Sequence, residues 1–188
     1  QNFEIAGTMN LLGFTGSKAN FTNSMLISND AGTGTLSSAV NNTGFGHQVF
    51  NVLTSGDANT GVGADSMSAL TTGANNTAVG LDTLKANTIG HSNTAIGYLA
   101  LSTNVAGNRN TAVGQSALLS CTASSDTDMM NTAVGGNALQ ALTSATENTA
   151  VGRNAGLSVS TGVENTFFGY GAGSSLTTGT NNTFIGRN

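Results

Sequence analysis

Charged residues and cysteines are scarce in this chain. Only 7% of its 188 residues are charged, five of them Lys or Arg, and the formal net charge is −4. So few cations form no basic patch for a phosphate backbone, and we expect no nucleic-acid binding. The single cysteine, Cys121, excludes an internal disulfide, and no Cys/His spacing typical of a metal site occurs. Proline and tryptophan are absent.

Long apolar segments are also missing. No apolar run reaches the roughly 18 residues of a transmembrane helix, so we expect no membrane insertion by this segment. The first residues, QNFEIAG, do not resemble a signal peptide and are interpreted as a mature end left by cleavage or as the start of an excised fragment. A polar chain with few charges is compatible with disorder. The regular placement of the apolar residues argues for a fold instead.

What the chain has in abundance is one repeated pentad, NTAVG with variants. Successive copies begin 17 residues apart, except for one interval of 21 between Asn110 and Asn131. A degenerate copy, SMLISNDAG, begins at Ser24, and the last copy ends mid-repeat, as in an excerpt of a longer protein. With Asn as position 1, the nine strong copies begin at Asn42, Asn59, Asn76, Asn93, Asn110, Asn131, Asn148, Asn165 and Asn182.

Each position of the unit follows its own rule. Position 2 is always Thr, position 4 always apolar, position 5 always Gly, and position 3 is small in seven copies. Thr-x-apolar-Gly predicts a short strand, with a second strand around positions 8–12. Positions 2 and 4 point to one face, which we predict to be the buried one. Position 3 then forms a smooth outer strip along which another chain approaches closely.

A 17-residue coil cannot bury its own apolar face, so coils must stack. The sequence predicts an all-β fold, a parallel β-solenoid (β-roll) of about ten coils spaced about 4.8 Å apart. The nine position-1 asparagines should form a side-chain amide ladder, and the position-2 threonines a second ladder. We expect two segments: an N-terminal cap or junction over residues 1–23 and the solenoid over 24–188.

The long interval predicts a four-residue insertion within residues 121–130, bulging from a corner without disturbing the stack. One interpretation is a partner-contact loop, since loops on rigid scaffolds often carry binding. The other is neutral length variation. The residues of this candidate loop are Ser124, Ser125, Asp126, Thr127, Asp128, Met129 and Met130.

The unit NTAVGxxALxxxTxGxx resembles the head repeat of trimeric autotransporter adhesins of the YadA type, roughly SVAIGxxAxAxGxx. Ala117 follows Gly114 by three residues and Gly107 precedes Asn110 by three, as in that family. The unit is also similar to repeats of phage tail fibres. The resemblance covers residues 24–188 and implies a left-handed β-roll, with three chains around a common axis. This chain departs from the family in its longer coil and in Thr at position 2.

No catalytic constellation is apparent, and we expect no enzyme, no metal site and no cofactor. His47 and His91 occupy different repeat positions and are interpreted as surface residues. Asp65 and Asp82 share position 7 of adjacent coils. A calcium site there is the alternative, but calcium requires about 6–8 oxygen ligands.

Three functions are compatible with the repeat. The first is a non-enzymatic, extracellular rod of a homotrimeric fibre, on a bacterial surface or in a virion tail. Such a rod would space or present a tip that binds a glycan or protein receptor of the host. The second is an ice-binding solenoid, which needs an outward Thr array. The third is a polysaccharide-active β-helix, which needs a carboxylate cluster.

Overall fold

The computed structural model describes residues 21–22, 25–27, 37–123 and 125–188. In this part of the chain there is no helix, and short strands stack coil on coil as a parallel β-solenoid, which confirms the predicted fold class. The number of about ten coils, the handedness and the trimeric assembly stay predictions. Most of the predicted cap, residues 1–20 and 23, lies outside the described residues. The strands are β1 Phe21–Thr22, β2 Met25–Ile27, β3 Ala39–Val40, β4 Thr43–Phe45, β5 Thr60–Val62, β6 Thr77–Val79, β7 Thr94–Ile96, β8 Gly107–Asn108, β9 Thr111–Val113, β10 Thr127–Asp128, β11 Thr132–Val134, β12 Thr149–Val151, β13 Thr166–Phe168 and β14 Thr183–Ile185.

One parallel sheet of ten strands runs the length of the solenoid, in the order β14-β13-β12-β11-β9-β7-β6-β5-β4-β2. Its register places each repeat position over the same position of the next coil, as in Thr94 over Thr111. Thr111 in turn pairs with Thr132, so the four extra residues between them leave the stack in register. Two smaller parallel sheets pair β1 with β3 and β10 with β8.

The prediction of which sheet face is buried was wrong. Position 3 points inward and is fully buried, as in Ala112, whereas position 4 is exposed or half-buried, as in Val113. The interior is narrow, and position 3 lies opposite the large position-9 side chain of the other wall. A methyl group on Gly44 would lie 3.0 Å from the Phe50 ring. Position 3 is therefore small because it faces this core, and it forms no outer strip.

The predicted second strand at positions 8–12 is also wrong, because that wall is a series of turns. Positions 7 and 9 adopt positive φ angles, for example 55° at Asp82 and 50° at Leu84. In a β-strand, side chains point alternately to the two faces. Because positions 7 and 9 have left-handed backbone conformations, this alternation is lost and two consecutive side chains point inward. Ala100 and Leu101, at positions 8 and 9, are both fully buried.

Glycine at position 5 is required by close backbone approach between coils. At Gly63 the φ angle is 127°, and a Cβ atom would lie 2.4 Å from the carbonyl oxygen of Gly80 in the next coil. No side chain fits there without moving the backbone, and the left-handed region favours glycine in any case. The strict repetition of this glycine thus reflects coil-to-coil contact at the corner after each strand.

The core fills its cross-section differently in the last coils. In most coils a large residue at position 9 packs against Gly or Ala at position 3. In the final coils Gly156 and Gly173 occupy position 9, and the large groups are Phe167 and Phe184 at position 3. Their rings stack with centroids 5.6 Å apart and an interplanar angle of 13°. The Phe167 ring occupies the space beside Gly156 and Gly173, so the bulky side chain has changed walls.

Candidate functional site

The position-1 asparagines form a continuous buried ladder. The backbone N–H and the side-chain amide of Asn59 both donate to Oδ1 of Asn42, at 2.9 and 3.1 Å. The same pair of bonds joins every later asparagine of the series to its predecessor, including Asn131 to Asn110 across the insertion. The Asn59 amide also donates to the carbonyl of Gly73. The ladder satisfies polar groups inside the core and provides no open binding site.

Replacing Asn93 by alanine should destabilise the solenoid by about 2–4 kcal/mol. The change removes the acceptor of two buried donors of Asn110 and the side-chain amide that donates to Asn76 Oδ1 and to the Gly107 carbonyl. Each orphaned buried group costs about 1–3 kcal/mol. Urea unfolding at fixed protein concentration measures the difference. Thr72→Ala, at an exposed corner, is the control and should change stability by less than about 0.5 kcal/mol. Equal stabilities of the two variants would contradict a structural role for the ladder.

A second polar column inside the core was not predicted. Asn87, Asn104 and Cys121 succeed one another at position 12, where other coils carry apolar residues. The Asn104 amide donates to Asn87 Oδ1 at 3.2 Å, and the Cys121 thiol contacts Asn104 Oδ1 at 3.8 Å and Met129 Sδ at 3.4 Å. The signal for this column was the polar substitution at an otherwise apolar repeat position.

Cys121 should be inert to thiol reagents in the folded protein. Burial raises the pKa of its thiol from the ordinary value of 9.0 to about 12, and the thiolate is the reactive form. Ellman's reagent at pH 8 should therefore react only after unfolding. Since the folded pKa is raised, this thiol's contribution to stability is complete below about pH 9 and decreases as the pH rises toward 12. Rapid labelling under native conditions would contradict this burial.

A threonine ladder was predicted at position 2, but among the described residues the hydroxyls that join successive coils lie at position 13. Thr54 Oγ1 donates to the carbonyl of Thr71, and Thr71 Oγ1 to that of Thr88, each at 3.0 Å. Thr143 repeats the contact with Ser160 at 3.1 Å. These hydroxyls join successive coils at a corner. The position-2 hydroxyls lie on the outside of the sheet, because that face is not the buried one.

The outer sheet face, formed by positions 2 and 4 of the nine strong repeats, is the largest candidate interaction surface. It carries a column of threonines beside a column of Val, Ile and Phe, and contains no charged residue. Phe45 and Phe168 are 55% and 57% exposed. This apolar column is about 40 Å long at the strand spacing, which makes the face a candidate interaction site.

The insertion loop is held against the neighbouring coils by polar contacts. Asp126 accepts a hydrogen bond from the Asn108 amide and lies 3.5 Å from His91 Nε2, and Arg109 pairs with Asp128 at 2.8 Å. Met129 is buried in the core, whereas Met130 is exposed. Ser124 lies outside the described residues. The part of the candidate contact loop that reaches solvent is thus Ser125, Asp126, Thr127 and Met130.

The two stacked aspartates are bridged by a cation from the protein itself. Lys85 Nζ lies 2.7 Å from Asp82 and 3.3 Å from Asp65, and His47 Nδ1 is 3.7 Å from Asp65. The hydrogen bonds that Lys85 Nζ donates to Asp82 and to Asp65 raise the pKa of Lys85. The ammonium group occupies the position that the calcium alternative required. Among the described residues no group of three or more His, Cys, Asp or Glu is placed to hold a metal ion.

These features define a repeat protein whose interior is sealed and whose distinctive surface is an uncharged sheet face. No helix of the described residues is long and apolar enough to cross a membrane. Comparisons of the chain with protein-family models, with curated proteins and with solved structures found no match. The resemblance to YadA-type head repeats and tail-fibre repeats therefore stays a prediction from the repeat unit, and so does the absence of enzymatic activity.

Proposed function

We propose that this chain is a rod segment of an extracellular homotrimeric fibre, in which three copies meet through their outer sheet faces. The fibre is the head of a bacterial surface adhesin or a phage tail fibre, and it spaces or presents a tip that binds a host receptor of glycan or protein. The observation that carries the proposal is the outer sheet face, with its uninterrupted apolar column. The predicted strip at position 3 no longer serves as the seam, because those residues lie in the core.

The chemistry of this face favours another copy of the same chain as its partner. Every position-4 side chain is Val, Ile or Phe and every position-2 side chain is Thr, so two such faces bury apolar groups without burying an unpaired charge. The repeated coil gives each copy the same spacing along the rod, and identical surfaces match along their whole length. Three such chains around one axis form a closed ring in which each chain makes the same heterologous contact with the next.

Light scattering of the purified chain tests this proposal. The expected mass is three times the 18.7 kDa of one chain, and Thr94→Lys/Thr111→Lys, which places two charges on the outer sheet face, should reduce it to that of one chain with unchanged circular dichroism. Thr72→Lys/Thr161→Lys, at exposed corners away from the face, is the matched control and should remain trimeric. A wild-type chain that stays monomeric at micromolar concentration would refute the trimer.

Ice binding is a second candidate, favoured by one observation. The threonine column faces outward, and its strands are in register from Thr43 to Thr183. A regular hydroxyl column beside a methyl column is the kind of flat array that orders surface water. Ice binding requires the face to be open, so the two functions exclude each other. A monomer with thermal hysteresis that Thr94→Lys abolishes would favour ice binding, and a trimer without hysteresis would favour the fibre.

A further inference from the structure

The few cations of the described residues divide into paired and unpaired groups. Lys85 and Arg109 each contact carboxylates of their own chain. Arg153 and Arg187 are exposed, and among the described residues no carboxylate lies within 4.0 Å of either. Both guanidinium groups lie over the Tyr170 ring, at 5.8 and 5.5 Å from its centroid, and Arg153 Nη1 is 3.3 Å from the tyrosine hydroxyl. These contacts fix two unpaired cations in one column, called here the basic edge.

Two unpaired acids lie along the opposite edge of the same sheet. Glu147 and Glu164 occupy position 17, immediately before the asparagine that starts a coil, and both are exposed. Among the described residues neither has a cation within 4.0 Å. Because β12 and β13 run from position 2 to position 4, these glutamates precede the outer sheet face and the arginines follow it. We call Glu147 and Glu164 the acidic edge.

The charged residues of the two edges lie at similar heights along the solenoid axis. Glu147 is six residues before Arg153 on the same coil, and Glu164 is six residues before Tyr170 on the next. Glu164 is thus about one coil spacing, about 4.8 Å, from the level of each arginine. Within one chain the width of the sheet face separates them. Among the residues at position 17 that precede strands β4 to β14, the only other charged one is Arg109. The residue at the same level on the opposite edge is Gln115, which is neutral.

We propose that the acidic edge of one copy pairs with the basic edge of the next, so that the chains associate in parallel and in register. The inference rests on the proposed association through the outer sheet face and adds the charged residues that join neighbouring chains along its rims. Rotation about an axis parallel to the rod brings position 17 of one chain beside position 6 of its neighbour, at the same level. An antiparallel face-to-face pair would instead bring like edges together, acid against acid. Complementary rim charges select the first arrangement.

Charge reversal tests the pairing. Glu147→Arg/Glu164→Arg and, separately, Arg153→Glu/Arg187→Glu should each raise the dissociation constant of the assembly by about tenfold or more at low salt. The four-residue exchange, which restores opposite charges on the two edges and the original net charge, should recover most of the lost affinity. High salt should reduce these differences, since the groups are exposed. Sedimentation over a dilution series measures association, and circular dichroism checks the fold.

Spin labels test direction independently. In a Cys121→Ala background, single cysteines replace Val52, Ser120 or Ser175, which all occupy position 11 on the opposite wall. Parallel, in-register chains give the same label-to-label distance at all three levels. Antiparallel chains give distances that differ strongly between the ends and the middle, and that result would overturn the inference.

The outcomes separate this inference from the proposed function. A wild-type monomer refutes association through the outer sheet face altogether. A wild-type trimer that tolerates both reversals keeps the proposed function and refutes the edge pairing. If Arg153→Glu/Arg187→Glu leaves the trimer intact but abolishes binding to dextran sulfate, the basic edge is a site for a polyanionic glycan and the pairing is refuted as well.

Discussion

Replacing Ala112 by aspartate should abolish folding, whereas the same replacement at the adjacent Val113 should leave the solenoid folded. Ala112 is fully buried between Ala95 and Ala133 in the position-3 column. An unpartnered carboxylate there costs several kcal/mol even after relaxation, a large part of the roughly 5–15 kcal/mol that holds a typical domain together. Loss of β-structure by circular dichroism and loss of soluble protein are the expected readouts.

Val113→Asp is the matched partner of this experiment, with the same new group one residue away. Its side chain lies on the outer sheet face, where the carboxylate remains solvated in the free chain. The variant should therefore keep its β-structure and lose only its self-association. A folded Ala112→Asp chain together with a collapsed Val113→Asp chain would place position 4 in the interior and reverse the assignment of faces.

The second large expected effect is on stability, in the last coils, where the large core side chain is at position 3 and glycine is at position 9. Phe167→Ala should cost about 3–5 kcal/mol, the usual penalty for emptying an aromatic core site. A Cβ atom on Gly173 would lie 2.4 Å from the Phe167 ring, so Gly173→Leu alone should also be destabilising. Combining the two changes should recover about 2 kcal/mol or more relative to their sum, because the leucine occupies the volume that the ring leaves.

The backbone at Gly173 permits this test. Its φ angle is 60°, and the leucines at the same position in earlier coils, such as Leu84 and Leu118, have φ angles of 50° and 52°. Earlier coils thus already hold leucine in this backbone conformation. Thermal or urea unfolding of the two single variants and the double variant, at one protein concentration, gives the coupling. Strictly additive losses would show that positions 3 and 9 do not share one space.

The period of the repeat made the architecture predictable, because equal positions must stack once coils of equal length are joined by parallel strands. The strand at positions 2–4 and the register across the insertion follow from that rule. The period of the repeat did not predict which face of the sheet is buried. Parity shows that Thr111 and Val113 share a face, but it does not show which face is buried, and here the small residue Ala112 faces the narrow core. Val113 and its equivalents therefore gave a misleading signal.

The second wall was unpredictable for a different reason. Leu84 and Leu101 occupy left-handed backbone conformations that leucine rarely adopts, so no residue-by-residue preference indicates them. Packing of the whole coil enforces them. The contacts of Asp126 with His91 and Asn108 likewise depend on how the loop folds back over neighbouring coils, which spacing along the chain does not indicate. The polar column that ends at Cys121 has a signal in the sequence, because Asn87, Asn104 and Cys121 replace apolar residues at position 12.

The asparagine ladder has a direction, and this bears on how the chain acquires its shape during synthesis. Each later asparagine donates its backbone N–H and its side-chain amide to the side-chain oxygen of the earlier one, as Asn110 does to Asn93. A finished coil thus presents a ready acceptor toward the C-terminal side, where the next segment emerges from the ribosome. Each new coil adds to the preceding one through short-range contacts 17 residues apart. The rod can therefore grow by templated addition from its N-terminal end, with one exposed growing edge at any time.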